Sequence, residues 1–144
     1  MKSVLLYGAE TWKTSKTIIN KLQTFLNRCL RRILKIHWPM KIPNTELWAK
    51  TNQEEIEITI KRRKWRWVGH TLRKPANNIT RQALEWNPSG VRKRGRPKNT
   101  WRRSLNNDLN NTVWSWTNIK KEAQNRTRFR CLVEALFSPR SNRI

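Results

Sequence analysis

From Ile18 to Leu34 apolar residues return at every third or fourth position: Ile18, Ile19, Leu22, Phe25, Leu26, Cys29, Leu30, Ile33 and Leu34. The 3.6-residue turn of an α-helix brings such positions onto one face. The stretch predicts an amphipathic helix of about 20 residues, capped by Thr14 or Ser15. Its other face carries Lys21, Arg28, Arg31, Arg32 and Lys35, and no acidic residue stands between Glu10 and Glu46 to balance them. A core helix with a solvated back explains the apolar stripe fully. It explains the one-sided charge less well.

That imbalance runs through the whole chain. Its 144 residues hold 32 Lys and Arg against nine Asp and Glu, a formal net charge of +23. So much like charge opposes compaction unless a polyanion neutralises it. Nucleic acid is the first such partner, because phosphate contacts supply sequence-independent affinity. An anionic membrane surface or an acidic protein is the alternative. The length favours one domain, and a hydrophobic share of 36% allows a modest core.

The remaining segments read as helices joined by Pro- and Asn-rich breaks. Val4, Leu5 and Leu6 fit the last turns of a helix whose start is missing. His37 to Pro43 contains two prolines and breaks the chain, after which Asn44 or Thr45 caps a short helix through Leu47, Trp48 and Ala49. Gln53 to Leu72 reads as a further helix, acidic at its start and basic later, which suits the helix dipole. Ile56, Ile60, Trp67 and Leu72 mark its inner face. Asn78 caps a short helix from Ile79 to Trp86. Asn99 or Thr100 caps one containing Trp101, Leu105 and Leu109. A last helix starts at Thr117 or Asn118, bears Ile119, Ala123, Phe129, Leu132, Val133, Leu136 and Phe137, and ends before Pro139. The expected fold is all-α, with five or six helices and an irregular basic loop around residues 87–99. Residues 139–144 form a frayed tail.

Two stretches carry the candidate chemistry. In the first, Arg62, Arg63, Lys64, Trp65 and Arg66 interleave cations with indoles up to Trp67, a mixture that can grip phosphates and stack on bases. Against this stands a plain structural reading, with Trp67 in the core, Trp65 half-buried and the cations solvated. The second runs from Gly90 to Arg103 and has seven basic residues, Arg92, Lys93, Arg94, Arg96, Lys98, Arg102 and Arg103, with none acidic. At its centre Arg94-Gly95-Arg96-Pro97 looks like the core of an AT-hook. Gly95 lets the backbone approach a groove floor, Arg94 and Arg96 extend along it, and Pro97 holds Arg96 extended. A solvated basic loop is the competing reading. Trp65 and Trp101 are the candidate stacking residues.

Other chemistries find little support. A single aspartate, Asp108, with eight glutamates is a poor source of the carboxylate cluster that two-metal nucleotidyl transfer requires. Cys29 and Cys131 lie far apart and read as small core residues, and with only His37 and His70 beside them no metal site or cofactor is expected. No apolar run reaches the ~20 residues of a spanning helix. Asn-x-Thr sequons at Asn78, Asn110 and Asn125 read as chance in an Asn-rich chain.

In series, several of these stretches resemble a known family. Leu5-Leu6-Tyr7-Gly8-Ala9-Glu10-Thr11-Trp12 is similar to a signature late in the reverse transcriptase of LINE-type retrotransposons, and Cys29-Leu30-Arg31-Arg32-Ile33-Leu34 follows it. Arg62 to Arg73 resembles the family's arginine-rich stretch ending in Gly-His-x-x-Arg, here Gly69-His70-Thr71-Leu72-Arg73. Arg92 to Arg103 resembles its Arg-Lys-Arg-Gly-Arg-Pro-x-x-Thr-Trp-Arg-Arg segment. Ala123-Gln124-Asn125-Arg126 with Phe129-Arg130 resembles its closing helix, with Asn125 and Phe129 where the family has Asp and Trp. The nearest likeness is to the region after the polymerase palm of RTE-like (non-LTR) endonuclease–reverse transcriptases. The resemblance implies thumb-like helices in residues 1–40, a basic helical segment in 41–86, the hook as a linker in 87–99 and a helical segment in 100–138. It implies a C-terminal, DNA- or RNA-binding piece acting in the nucleus. The Tyr-x-Asp-Asp palm and the endonuclease that carry the family's catalysis are absent from these residues, so no enzymatic activity is expected. Met1 just before the signature suggests a reading frame from a truncated element copy, which leaves a non-functional remnant as a further alternative.

Overall fold

A computed structural model describes residues 2–86, 94–95, 100–110, 112 and 114–138. Among them are eight α-helices and a 3-10 turn, with no strand. The helices are α1 (Lys2–Leu5), α2 (Lys16–Ile33), α3 (Asn44–Lys50), α4 (Ile56–Leu72), α5 (Ile79–Glu85), α6 (Trp101–Asn110), α7 (Trp116–Glu122) and α8 (Arg126–Leu136), and the 3-10 turn is Ala9–Thr11. The all-α class stands; the expected number of helices was too low. One reason is Asn125. The expected last helix divides there, because Asn125 takes an extended conformation and its side chain accepts from Arg128 N, starting α8 afresh after α7. A side-chain cap of this kind contributes about 1 kcal/mol. Most expected caps are in place. Ser15 accepts from Ile18 N at 3.3 Å, Asn78 from Thr80 N at 3.1 Å, and Thr100 from Arg103 N at 3.2 Å. Ahead of α3 stands Pro43, without a side-chain cap.

Helix α4 is the axis of the molecule. Its N-terminal half buries Ile56 and Ile60 in one apolar cluster with Leu6, Ala9, Leu26, Leu30 and Leu47. Its C-terminal half buries Trp65, Val68 and Leu72 in a second cluster with Leu84, Leu105, Leu109, Ile119, Ala123, Phe129 and Val133. The core therefore divides inside a helix, and residues 41–86 contribute to both parts. Each fully buried Leu, Ile or Val side chain stabilises the fold by roughly 1.5–3 kcal/mol.

Two details follow from this double packing. Trp65 is 1% exposed, whereas Trp67 is half-buried, its ring edge-on to Trp101 at 5.6 Å. The expected core role of Trp67 thus passes to Trp65, because α4 turns a different face to its partners along its second half. At Gly69, α4 and α8 meet so closely that a Cβ would overlap Phe129 Cε1 and Cδ1 and stand 3.1 Å from Cζ. The apolar stripe of α2 is covered only in part: Leu26 and Leu30 are buried, but Ile18, Phe25, Ile33 and Leu34 are exposed. Cys29 is half-buried and Cys131 is exposed, so the expectation of two core cysteines fails for Cys131.

Candidate nucleic-acid interface

The basic run of α4 is mostly internal bracing. Lys61 Nζ pairs with Glu57 at 2.7 Å and reaches Asp108 at 3.7 Å. Arg62 pairs with Glu54 at 2.6 Å and Glu134 at 3.0 Å, and donates to Phe137 O at 2.9 Å. Arg63 donates to Leu6 O at 2.9 Å. Lys64, 1% exposed, donates to Ser104 Oγ at 3.0 Å. Trp65 packs between Trp116 and Phe137 and points Nε1 at Asp108 Oδ2, 3.4 Å away. Lys64 and Trp65 therefore cannot serve as the phosphate contact and stacking platform expected of them. A buried ammonium does not reach a phosphate, and a buried indole offers no face to a base. Burial pushes the Lys64 ammonium below its ordinary value and the Asp108 carboxyl above its own, although Lys61 and Lys64 beside Asp108 work against that rise. For Lys61, burial would lower the ammonium, but the hydrogen bond to Glu57 and the charge of Asp108 outweigh it and hold it high.

Arg66 is the exception in the run. It lies on an open face of α4 together with His70, and with Arg73 just past the helix end, at the i, i+4, i+7 spacing that aligns helix residues. Across from them α8 presents Arg126 and Arg130, also one turn apart. The five side chains and the Phe129 ring line a cleft of about 410 Å³. None of its lining residues is acidic. Arg66 has an ion pair with Glu134 at the rim. Arg73 is anchored by donating to Ala123 O at 2.9 Å. Burial, and then the like charge of Arg126, push the Arg73 guanidinium below its ordinary value. It stays cationic at neutral pH, as arginine does in proteins. The cleft also lies at the first turns of α8, where the helix dipole is positive. Sequence reading missed Arg73, Arg126 and Arg130 as site residues. It also set His70 aside as a structural polar residue, whereas His70 is exposed at the cleft.

A second cationic surface is the outer face of α2. Lys21 and Arg28 flank the exposed Phe25, and Arg32 is exposed a turn further on. Arg31 belongs to the scaffold, donating to Ile42 O and Asn44 Oδ1 at 3.2 and 2.7 Å.

On α6, Trp101 is half-buried and donates Nε1–H to Glu10 O at 2.8 Å, tying α6 to the N-terminal turn. This tether and the packing on Trp67 occupy the indole expected to stack on bases. Arg102 is exposed and donates to Glu85 O at 3.0 Å; Arg103 is exposed. Of the hook, Arg94 and Gly95 are exposed, and Gly95 has φ +128°, a conformation that favours glycine. Arg92, Lys93, Arg96, Pro97 and Lys98 lie outside the described residues.

Among the described residues no three His, Cys, Asp or Glu side chains gather as metal ligands, and no helix is long and apolar enough to cross a membrane. No family model matches the sequence, and neither a curated protein nor a solved structure matches it.

Proposed function

We propose that this chain is a nucleic-acid-gripping helical module, the C-terminal part of a LINE-type (non-LTR, RTE-like) retrotransposon reverse transcriptase, acting in the nucleus on DNA or RNA without catalysis of its own. The observation that carries the nucleic-acid reading is the sorting of charge. Glu46, Glu54, Glu57, Glu85, Asp108, Glu122 and Glu134 each face a Lys or Arg within the fold. The net charge of +23 is left to surfaces such as the α4/α8 cleft, which no acid lines. Guanidinium groups match phosphate oxygens bidentately. The retrotransposon part of the reading rests on the ordered motifs from Tyr7-Gly8-Ala9-Glu10-Thr11-Trp12 to Ala123-Gln124-Asn125-Arg126. Arg66, Arg73, Arg126, Arg130, Arg102 and Arg103, with the hook arginines Arg94 and Arg96, then hold the strand. Lys61 to Trp65 hold the helices that present them.

The test is a titration of labelled duplex DNA, single-stranded DNA and structured RNA against salt. Log affinity falls linearly with log salt, by about 0.9 per duplex phosphate engaged and about 0.7 per single-strand phosphate. Absence of binding to all three at low salt refutes the proposal.

A further inference from the structure

The α4/α8 cleft holds more positive charge, more closely gathered, than one phosphate of a passing strand would match. An internal phosphodiester brings one negative charge and two unbridged oxygens. A terminal phosphomonoester brings close to two charges and three strong acceptor oxygens. The cleft has four guanidiniums, from Arg66, Arg73, Arg126 and Arg130, and of these four Glu134 pairs with Arg66 alone. The forks of Arg126 and Arg130 are thus left for a ligand, together with the Arg73 donors not used on Ala123 O and the His70 ring. The geometry also suits an end. Side chains converge from two helices into a concavity, with Arg73 held in place by Ala123 O and Phe129 beneath. Arg28 and Arg32 of α2 also border a cavity, of about 550 Å³, but there the third guanidinium, Arg31, is engaged by Ile42 O and Asn44 Oδ1.

Resting on the nucleic-acid reading above, we propose that the α4/α8 cleft is a site for the terminal phosphomonoester of a nucleic-acid strand. Arg126 and Arg130 grip its oxygens from α8, and Arg73 and His70 face them from α4. The cleft therefore distinguishes a phosphorylated end from a hydroxyl end.

The experiment compares two short single strands of one sequence, labelled at the 3′ end, one with a 5′-phosphate and one with a 5′-hydroxyl. Affinities are measured by fluorescence anisotropy at one fixed salt concentration. The phosphorylated strand binds about tenfold more tightly, the scale expected of a charge-assisted hydrogen-bond set. In a variant with Arg126→Gln and Arg130→Gln the preference disappears, while the hydroxyl strand still binds through the remaining cations. Both residues are exposed, and an unchanged helical circular dichroism spectrum confirms that the variant folds. Arg130→Gln alone halves the preference or more. Equal affinities for the two strands overturn this inference and leave the nucleic-acid reading standing. A preference that survives in the double variant overturns the assignment to the cleft. Failure of both strands to bind overturns both proposals. A phosphoserine peptide that displaces the phosphorylated strand more effectively than the unlabelled strand itself overturns the choice of nucleic acid as the source of the phosphate.

Discussion

Replacing Gly69 by alanine puts two effects of opposite sign against each other. In a helix interior alanine is better than glycine by about 1 kcal/mol. Gly69 lies within α4, so on a bare helix the change would stabilise. Its surroundings reverse the sign. The added methyl overlaps two carbons of the Phe129 ring and sits 3.1 Å from a third, and Phe129 is itself 2% exposed, enclosed by the second apolar cluster. A buried ring cannot swing away as the end of a lysine can, so α4 and α8 must separate. Overpacking typically costs about 1–3 kcal/mol, and three close ring atoms place this case at the upper end. The net expectation is a loss of about 2 kcal/mol, or a fall in Tm of roughly 6–8 °C for a chain of this size. Thermal unfolding followed by circular dichroism measures it. Phe129→Leu removes the ring and supplies the control. In that background Gly69→Ala becomes neutral or mildly stabilising, a coupling of about 2 kcal/mol between the two positions. Because Phe129 lies between Arg126 and Arg130 in the cleft, the single variant also loses strand affinity. If Gly69→Ala raises Tm equally in both backgrounds, the helices do not approach as described, and the cleft they form is in doubt too.

Three further outcomes are expected. Lys64→Met exchanges a buried ammonium for a thioether of similar length; stability changes by no more than about 1 kcal/mol and strand affinity is unaltered, whereas a loss of affinity equal to that of Arg130→Gln would show Lys64 reaching phosphate. Asp108 has its carboxyl raised by burial above the ordinary value of 3.8, so the fold holds that proton more tightly than the unfolded chain does. Compared with Asp108→Asn, the wild-type chain therefore loses stability as pH rises from 3.8 through the raised folded value; denaturant midpoints that diverge in the opposite direction would refute the burial argument. In the hook, Arg94→Ala with Arg96→Ala weakens binding to A·T-rich duplex more than to G·C-rich duplex, as minor-groove insertion requires; equal losses on both reduce the hook to a phosphate grip.

Local order was legible along most of the chain. Three- and four-residue apolar spacing marked α2, α4 and α6, and short polar side chains at Ser15, Asn78 and Thr100 marked where helices begin. Such features depend on residues within one or two turns of each other, so the sequence carries them directly. The break at Asn125 was legible in kind, since asparagine is a good cap, but apolar spacing on both sides masked it. The open face of α4 could be found from Arg66, His70 and Arg73, three polar residues at helical spacing. The opposing Arg126 and Arg130 could not, because nothing local says that α8 crosses α4 at Gly69.

Sequence alone therefore determined the helical class, most of the caps and the excess of positive charge. Tertiary structure decided which charges face outward. In the run from Lys61 to Arg66 every residue is cationic or aromatic, and helical periodicity separates its faces without saying what covers each one. Asp108, Ser104, Glu134 and the carbonyls of Leu6 and Phe137, all distant in sequence, cover most of them. Burial of an ammonium or an indole is a property of the surrounding elements rather than of the residue. The most cationic stretch of α4 thus became a brace, while scattered arginines from two helices form the open cleft.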